Sequence, residues 1–162
     1  MTRGVLVIRD VASLAALAAA ETLDVLLKLN MPILFVDEVF YAATCEETEP
    51  EEVAIKQFVA ANGEVIRIVQ TEVGRLASDE RIRNPNYRRY LPDEGVAEFF
   101  DRVDEYVDPA CAIFILVERA VRKQSETWAA NNIFLLSTND LMTASGNIDS
   151  LGLENMIRKS PD

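Results

Sequence analysis

Val5-Leu6-Val7-Ile8, closed by Arg9-Asp10, is the stretch whose reading decides the fold. Four consecutive apolar residues, largely β-branched, suit a strand covered on both faces, and parallel sheets are the sheets that are covered in this way. Asp10 then stands at the C-terminal end of that strand. The alanine- and leucine-rich segment from Ser13 onward reads as a helix, and a second helical piece covers Thr22 to Leu29 until Asn30-Met31-Pro32 stops it. Ile33-Leu34-Phe35-Val36 repeats the strand pattern, with Asp37 placed to cap a helix that carries Val39, Phe40 and Ala43 on one side. After Pro50, residues Glu51 to Ala61 are helical, and Asn62-Gly63 turns the chain into a strand from Val65 to Val69. Strands alternating with helices predict a three-layer α/β/α domain with a mostly parallel central sheet.

Farther along, residues from about 74 to 92 change in composition. Arg75, Arg81, Arg83, Arg88 and Arg89 interleave with Tyr87 and Tyr90 around Asn84-Pro85, as in an insertion or a pair of short helices. Val96 to Tyr106 is amphipathic at helical spacing. Asp108-Pro109 has the form of an N-cap followed by proline at the first helical position, which predicts a helix running as far as Ala130, with Phe114 and Trp128 packing it on the sheet and Cys111 as a small core residue. Asn131-Asn132 is a turn, and Ile133 to Leu136 forms the last strand, closing at Ser137-Thr138-Asn139-Asp140. The tail to Asp162 reads as a short helix plus loop.

A chain of 162 residues suits one domain over 1–162. It has no histidine, which excludes Ser-His-Asp and Cys-His nucleophiles, histidine general bases and the commonest zinc sites. Two cysteines 66 residues apart make neither a disulfide framework nor a CxxC metal site, and point to a reducing, cytoplasmic compartment. No signal peptide and no membrane span is evident. The formal charge of −11 repels nucleic acid at long range, so RNA contact needs a local basic patch or a bound cation.

Asp10 and Asp140 both follow strands, and in open parallel sheets ligand sites form beyond the strands' C-terminal ends. With the hydrophobic strand, its terminal Asp10 and Ser13 three residues on, the strand-helix unit from Ile33 to Tyr41, and Leu135-Leu136-Ser137-Thr138-Asn139-Asp140, most of the chain resembles the PIN-domain family in order. The resemblance implies a Mg²⁺- or Mn²⁺-dependent endoribonuclease, the toxin of a toxin–antitoxin pair, held by a small antitoxin or another protein partner, and a homodimer. It implies Asp10 and Asp140 as metal ligands, with Glu118 or Asp108 as a third and Glu46 as a fourth. Ser13 and Asn139 would support them, and the RNA would lie against Arg81, Arg83, Tyr87, Arg88 and Arg89. Such a site uses carboxylates because hard divalent cations prefer oxygen ligands. The sequence departs from the family where Ala43 and Cys111 occupy two positions expected to be acids, as in a catalytically inactive relative that works by binding RNA or a protein.

The same residues admit plainer roles. Asp10 can cap the next helix, Glu118 can pair with Arg122 four residues on, and the arginines of 75–90 can pair with the chain's own excess acids.

Overall fold

The computed structural model describes residues 4–108, 110–117 and 133–138. In chain order they form β1 (Gly4–Ile8), α1 (Val11–Ala19), a 3-10 helix (Leu23–Leu29), β2 (Ile33–Val36), α2 (Asp37–Ala43), α3 (Pro50–Ala61), β3 (Ile66–Val69), α4 (Glu72–Arg83), α5 (Pro92–Asp101), α6 (Val103–Tyr106), β4 (Ala112–Val117) and β5 (Ile133–Ser137). The strands make one sheet in the order β3-β2-β1-β4-β5, and every pairing is parallel. This is the expected three-layer α/β/α architecture.

Why these segments pair follows from their burial. All residues of β1 and β2 are buried, as are Ala112 to Leu116 of β4. A strand apolar on both pleats has no stable home at a solvated face, so helices must cover both sides of the sheet. The strand order shows how they do so. From β1 through β2 to β3 the chain steps one way across the sheet, then crosses back to β4 on the far side of β1 and steps on to β5. Right-handed crossovers therefore put α1 to α3 on one face and α4 to α6 on the other. Contacts of α1 with α3, and of α5 with α4, follow that division. α2, which begins directly at the end of β2, meets helices of both groups: α1 on one side and α4 and α5 on the other.

One expectation is overturned. Ala112 to Val117 is a strand, not the start of a long helix, and it is the partner of β1 in the middle of the sheet, with Gly4 beside Ala112 and Ile8 beside Leu116. Phe114 belongs to this strand and stacks on Phe134 of β5, ring centroids 5.5 Å apart. Asp108 does bind the backbone ahead, but in a turn: its Oδ1 accepts the Ala110 N–H at 2.9 Å and its carbonyl accepts the Cys111 N–H. The sequence 74–92 resolves into most of α4 and a connection to α5. Trp128, the Asn131-Asn132 turn and the tail to Asp162 lie outside the described residues. No helix among the described residues is long and apolar enough to cross a membrane.

Phe114 is fully buried on the sheet, stacked on Phe134, so Phe114→Ala should lower unfolding free energy by about 3–5 kcal/mol. Urea denaturation of the two proteins measures it; a loss below about 1 kcal/mol would place this side chain outside the core.

Candidate functional site

The order of strands reverses between β1 and β4, and in open parallel sheets the C-terminal ends of strands at such a reversal are where ligand sites form. Asp10 stands there, two residues after the last of β1. Its backbone is still extended (φ −140°, ψ 154°), and it caps α1 by accepting the Ser13 N–H on Oδ1 at 2.7 Å. Ser13, wholly buried, returns its hydroxyl to the Asp10 carbonyl at 3.3 Å. The plain role expected of Asp10, the cap of the next helix, is therefore met, and the cap holds one oxygen of its carboxylate.

The other expected ligands separate. Asp108 precedes β4, whereas Asp10 follows β1, and the two strands run parallel; the aspartates lie beyond opposite ends of a ladder whose four steps from Gly4 to Ile8 span about 13 Å. They cannot share a cation. Glu46 is exposed in the loop after α2, its N–H bonded to Glu52 Oε1 at 3.0 Å, beside a small hollow it shares with Glu47 and Glu52. Ala43, where the resemblance asks for an acid, is 1% exposed and packs in the core. Glu118, Asn139 and Asp140 lie outside the described residues, and among the described residues no three His, Cys, Asp or Glu side chains gather to hold a metal.

A second acidic pair, read from sequence only as a helix cap, occupies the ends of β2 and β3. Asp37 is the first residue of α2 rather than its cap, and Glu38 follows it; they are 2% and 0% exposed. Burying two adjacent carboxylates is costly unless each oxygen is satisfied. Asp37 Oδ1 accepts the Thr71 hydroxyl at 2.9 Å and the Glu38 N–H at 2.8 Å, and its Oδ2 accepts the Thr71 N–H at 3.0 Å. Because Val36 and Val69 are register partners, Asp37, one residue past the ladder, and Thr71, two residues past it, join the ends of the strands.

Thr71 Oγ1 in turn accepts the Gly74 N–H, and Glu98 of α5 accepts the N–H groups of Glu72 and Val73 at 2.7 and 2.8 Å. The unpaired donors of the first turn of α4 are thereby taken up by side chains. Gly74 is required here, since a Cβ would fall on the Asp37 carboxylate.

Glu38 meets Arg81 in a two-pronged pair, Nη1 to Oε2 at 3.0 Å and Nη2 to Oε1, and also accepts the Leu91 N–H at 2.9 Å. Arg81 further donates through Nε and Nη2 to the Arg89 carbonyl, and its guanidinium lies 4.2 Å from the centre of the Tyr90 ring. It is half-buried and engaged within the protein, the pairing with the chain's own acids that its sequence also allows. Arg83 is exposed and pairs with Glu80; Arg88 and Arg89 are exposed and Tyr87 half-buried on the same connection.

Burial pushes the Asp37 carboxyl above its ordinary value of 3.8, although hydrogen bonds from Thr71 and Glu38 pull the other way and the Glu38 charge adds to the rise. The folded protein then holds a proton at Asp37 at pH values where the unfolded chain has lost it. This group's contribution to stability is full below 3.8 and declines as pH rises through the raised folded value. Asp37→Asn removes the titration and, with one acceptor atom in place of two, leaves an N–H of Thr71 facing a donor. The deficit of the variant relative to the parent should thus be largest near pH 4 and shrink toward pH 7 in urea denaturation; a deficit that grows with pH would contradict the assignment.

Removing the partner of a buried carboxylate strands its charge. Arg81→Met should cost about 3–5 kcal/mol in thermal or chemical unfolding, whereas an arginine that served only as a nucleic-acid contact could be replaced with almost no loss of stability.

No family model, curated protein or solved structure matches this chain, so the functional reading rests on the rim of the sheet and on the residues that follow its strands.

Proposed function

We propose that this chain is a PIN-type endoribonuclease dependent on Mg²⁺ or Mn²⁺. The observation that carries the reading is the position of Asp10 at the end of β1, where the strand order reverses. The correction to β4 adds to it. With Val117 as the last residue of β4, Glu118 is the next residue in sequence, and Asp140 comes three residues after Ser137 ends β5. Carboxylates thus follow the ends of three adjacent parallel strands, β1, β4 and β5. Three hard oxygen donors suit a divalent cation and do not suit zinc, for which this chain lacks histidine.

In this reading Asp10, Glu118 and Asp140 hold the cation, which when bound polarises a phosphodiester and lowers the pKa of water beside it. Ser13 keeps the Asp10 carboxylate aimed by its N–H, and Asn139 supports Asp140. The excess acids that repel RNA at a distance are offset locally by Arg83, Arg88 and Arg89, with Tyr87 available to stack on a base. Arg81 has no part in this contact, because Glu38 occupies it. The resemblance extends the proposal to a cytoplasmic toxin restrained by an antitoxin or other protein partner, acting as a homodimer.

A competing reading, a catalytically inactive PIN-like protein that works by binding RNA or a protein, is favoured by one observation: Ala43 is sealed in the core where the family would place an acid. Calorimetric titration of Mn²⁺ combined with an RNA cleavage assay separates the two. For the nuclease, the parent binds Mn²⁺ saturably and cleaves RNA, and Asp10→Asn, Glu118→Gln and Asp140→Asn each weaken metal binding by roughly tenfold or more and abolish cleavage. RNA binding without cleavage at any Mn²⁺ concentration would establish the inactive form, and cleavage undiminished in Asp10→Asn would end the assignment of the site.

A further inference from the structure

We propose that the hollow between the end of α2 and the second half of α4 is a binding site for an organic cation of the guanidinium or alkylammonium type. The hollow has a volume of about 400 Å³, and Tyr41, Glu47, Ser78, Arg81, Ile82 and Tyr90 stand around it. That size is within the range that accepts a small ligand or one long side chain.

Its charges select the ligand. Arg81 is the cation among these lining residues, and it is spent: two nitrogens bind Glu38, two bind the Arg89 carbonyl, and its face lies against Tyr90. An incoming anion would find no uncompensated positive charge there. Glu47, in contrast, is exposed and has no ion pair or hydrogen bond through its carboxylate among the described residues. With Glu38 neutralised by Arg81, Glu47 is the uncompensated charge among these lining residues.

Its shape adds a second, independent preference. An aromatic face attracts a positive charge through its electron-rich centre. Tyr90 already does so for Arg81, and Tyr41, at the edge of exposure, offers a second ring. Ile82, 79% exposed at the mouth, supplies an apolar surface for an alkyl stem, which long cationic side chains bury while their heads remain polar. Glu47 and Tyr41 thus hold the charged head, with the Ser78 hydroxyl as a further acceptor, and Ile82 holds the stem.

The site uses none of the residues assigned to the metal, so it stands or falls separately from the nuclease reading. The ligand chemistry has two sources, a free cationic metabolite or an arginine or lysine side chain of a partner protein. Titration of the ¹⁵N-labelled full chain with agmatine, with a blocked Gly-Arg-Gly tripeptide and with adenosine monophosphate distinguishes them by NMR. At least one of the two cationic probes should give saturable shifts at residues 41–47, 78–82 and 90. Glu47→Gln, which changes an exposed charge and leaves packing intact, and Tyr41→Leu should each weaken that binding roughly threefold to tenfold, while Asp10→Asn leaves it unchanged. Tighter binding of agmatine identifies a free cation as the ligand, and tighter binding of the tripeptide identifies a protein side chain. The proposal is overturned if neither cationic probe saturates at millimolar concentration, if Glu47→Gln binds as the parent does, or if adenosine monophosphate binds more tightly than both.

Discussion

A carboxylate with no exposure to water has to be neutralised where it lies, and Glu38 imposes this demand at the end of β2. Arg81 meets it from the last turn of α4, and the Leu91 N–H meets the rest from the start of α5. Through this one anion the return crossover from β3 to β4 is fixed at two places. The Arg89 carbonyl then closes on the same guanidinium, so residues 84–91 are tied back to the helix they leave. At its other end α4 is held by Asp37 through Thr71 and by Glu98 from α5. A helix of low apolar content, with Leu76 and Ile82 turned to solvent, is thereby seated by hydrogen bonds and charge more than by buried hydrocarbon.

The strands β1, β2 and β5 were legible because each is a continuous apolar run bounded by turn-forming or charged residues. β4 was not, for a physical reason. A segment apolar on every side has no periodicity that separates a buried strand from a buried helix, and Asp108-Pro109 carries the composition of a helix start. The Asp108 side chain does fold back onto the backbone, but onto the Ala110 N–H, two residues ahead, in a turn that leads into an extended chain. The β-branched Ile113, Ile115 and Val117 were the signal that favoured a strand.

At the site, local patterns were readable and distant partnerships were not. Asp10 with Ser13 is a contact over three residues, and its cap geometry follows from the sequence alone. Asp37 finds Thr71 over a separation of 34 residues, and Glu38 finds Arg81 over 43. Only the parallel register of β2 and β3, and the path of α4 after it, brings these groups together. The arginine-rich segment shows the same limit: composition marks it as basic, while the structure pairs Arg81 with buried Glu38 and leaves Arg83, Arg88 and Arg89 exposed.

Asp10 and Asp37 make the comparison sharpest, since both stand just past the ends of neighbouring strands. Asp10 keeps an extended backbone and becomes the cap of a helix that begins after it, so one oxygen is engaged by Ser13 and the group is only half-buried at the reversal of strand order. Asp37 enters its helix at once and is surrounded by three donors, two of them from Thr71. A carboxylate so enclosed is costly to ionise and has little to offer a ligand, and the rise in its pKa expresses that cost. The half-satisfied acid at the switch point keeps one oxygen without a donor among the described residues, and the fully satisfied acid beside it ties the end of β2 to the start of α4. Position relative to a strand end is therefore insufficient to assign a carboxylate a function; the number of donors the fold itself supplies decides whether it serves structure or remains available for chemistry.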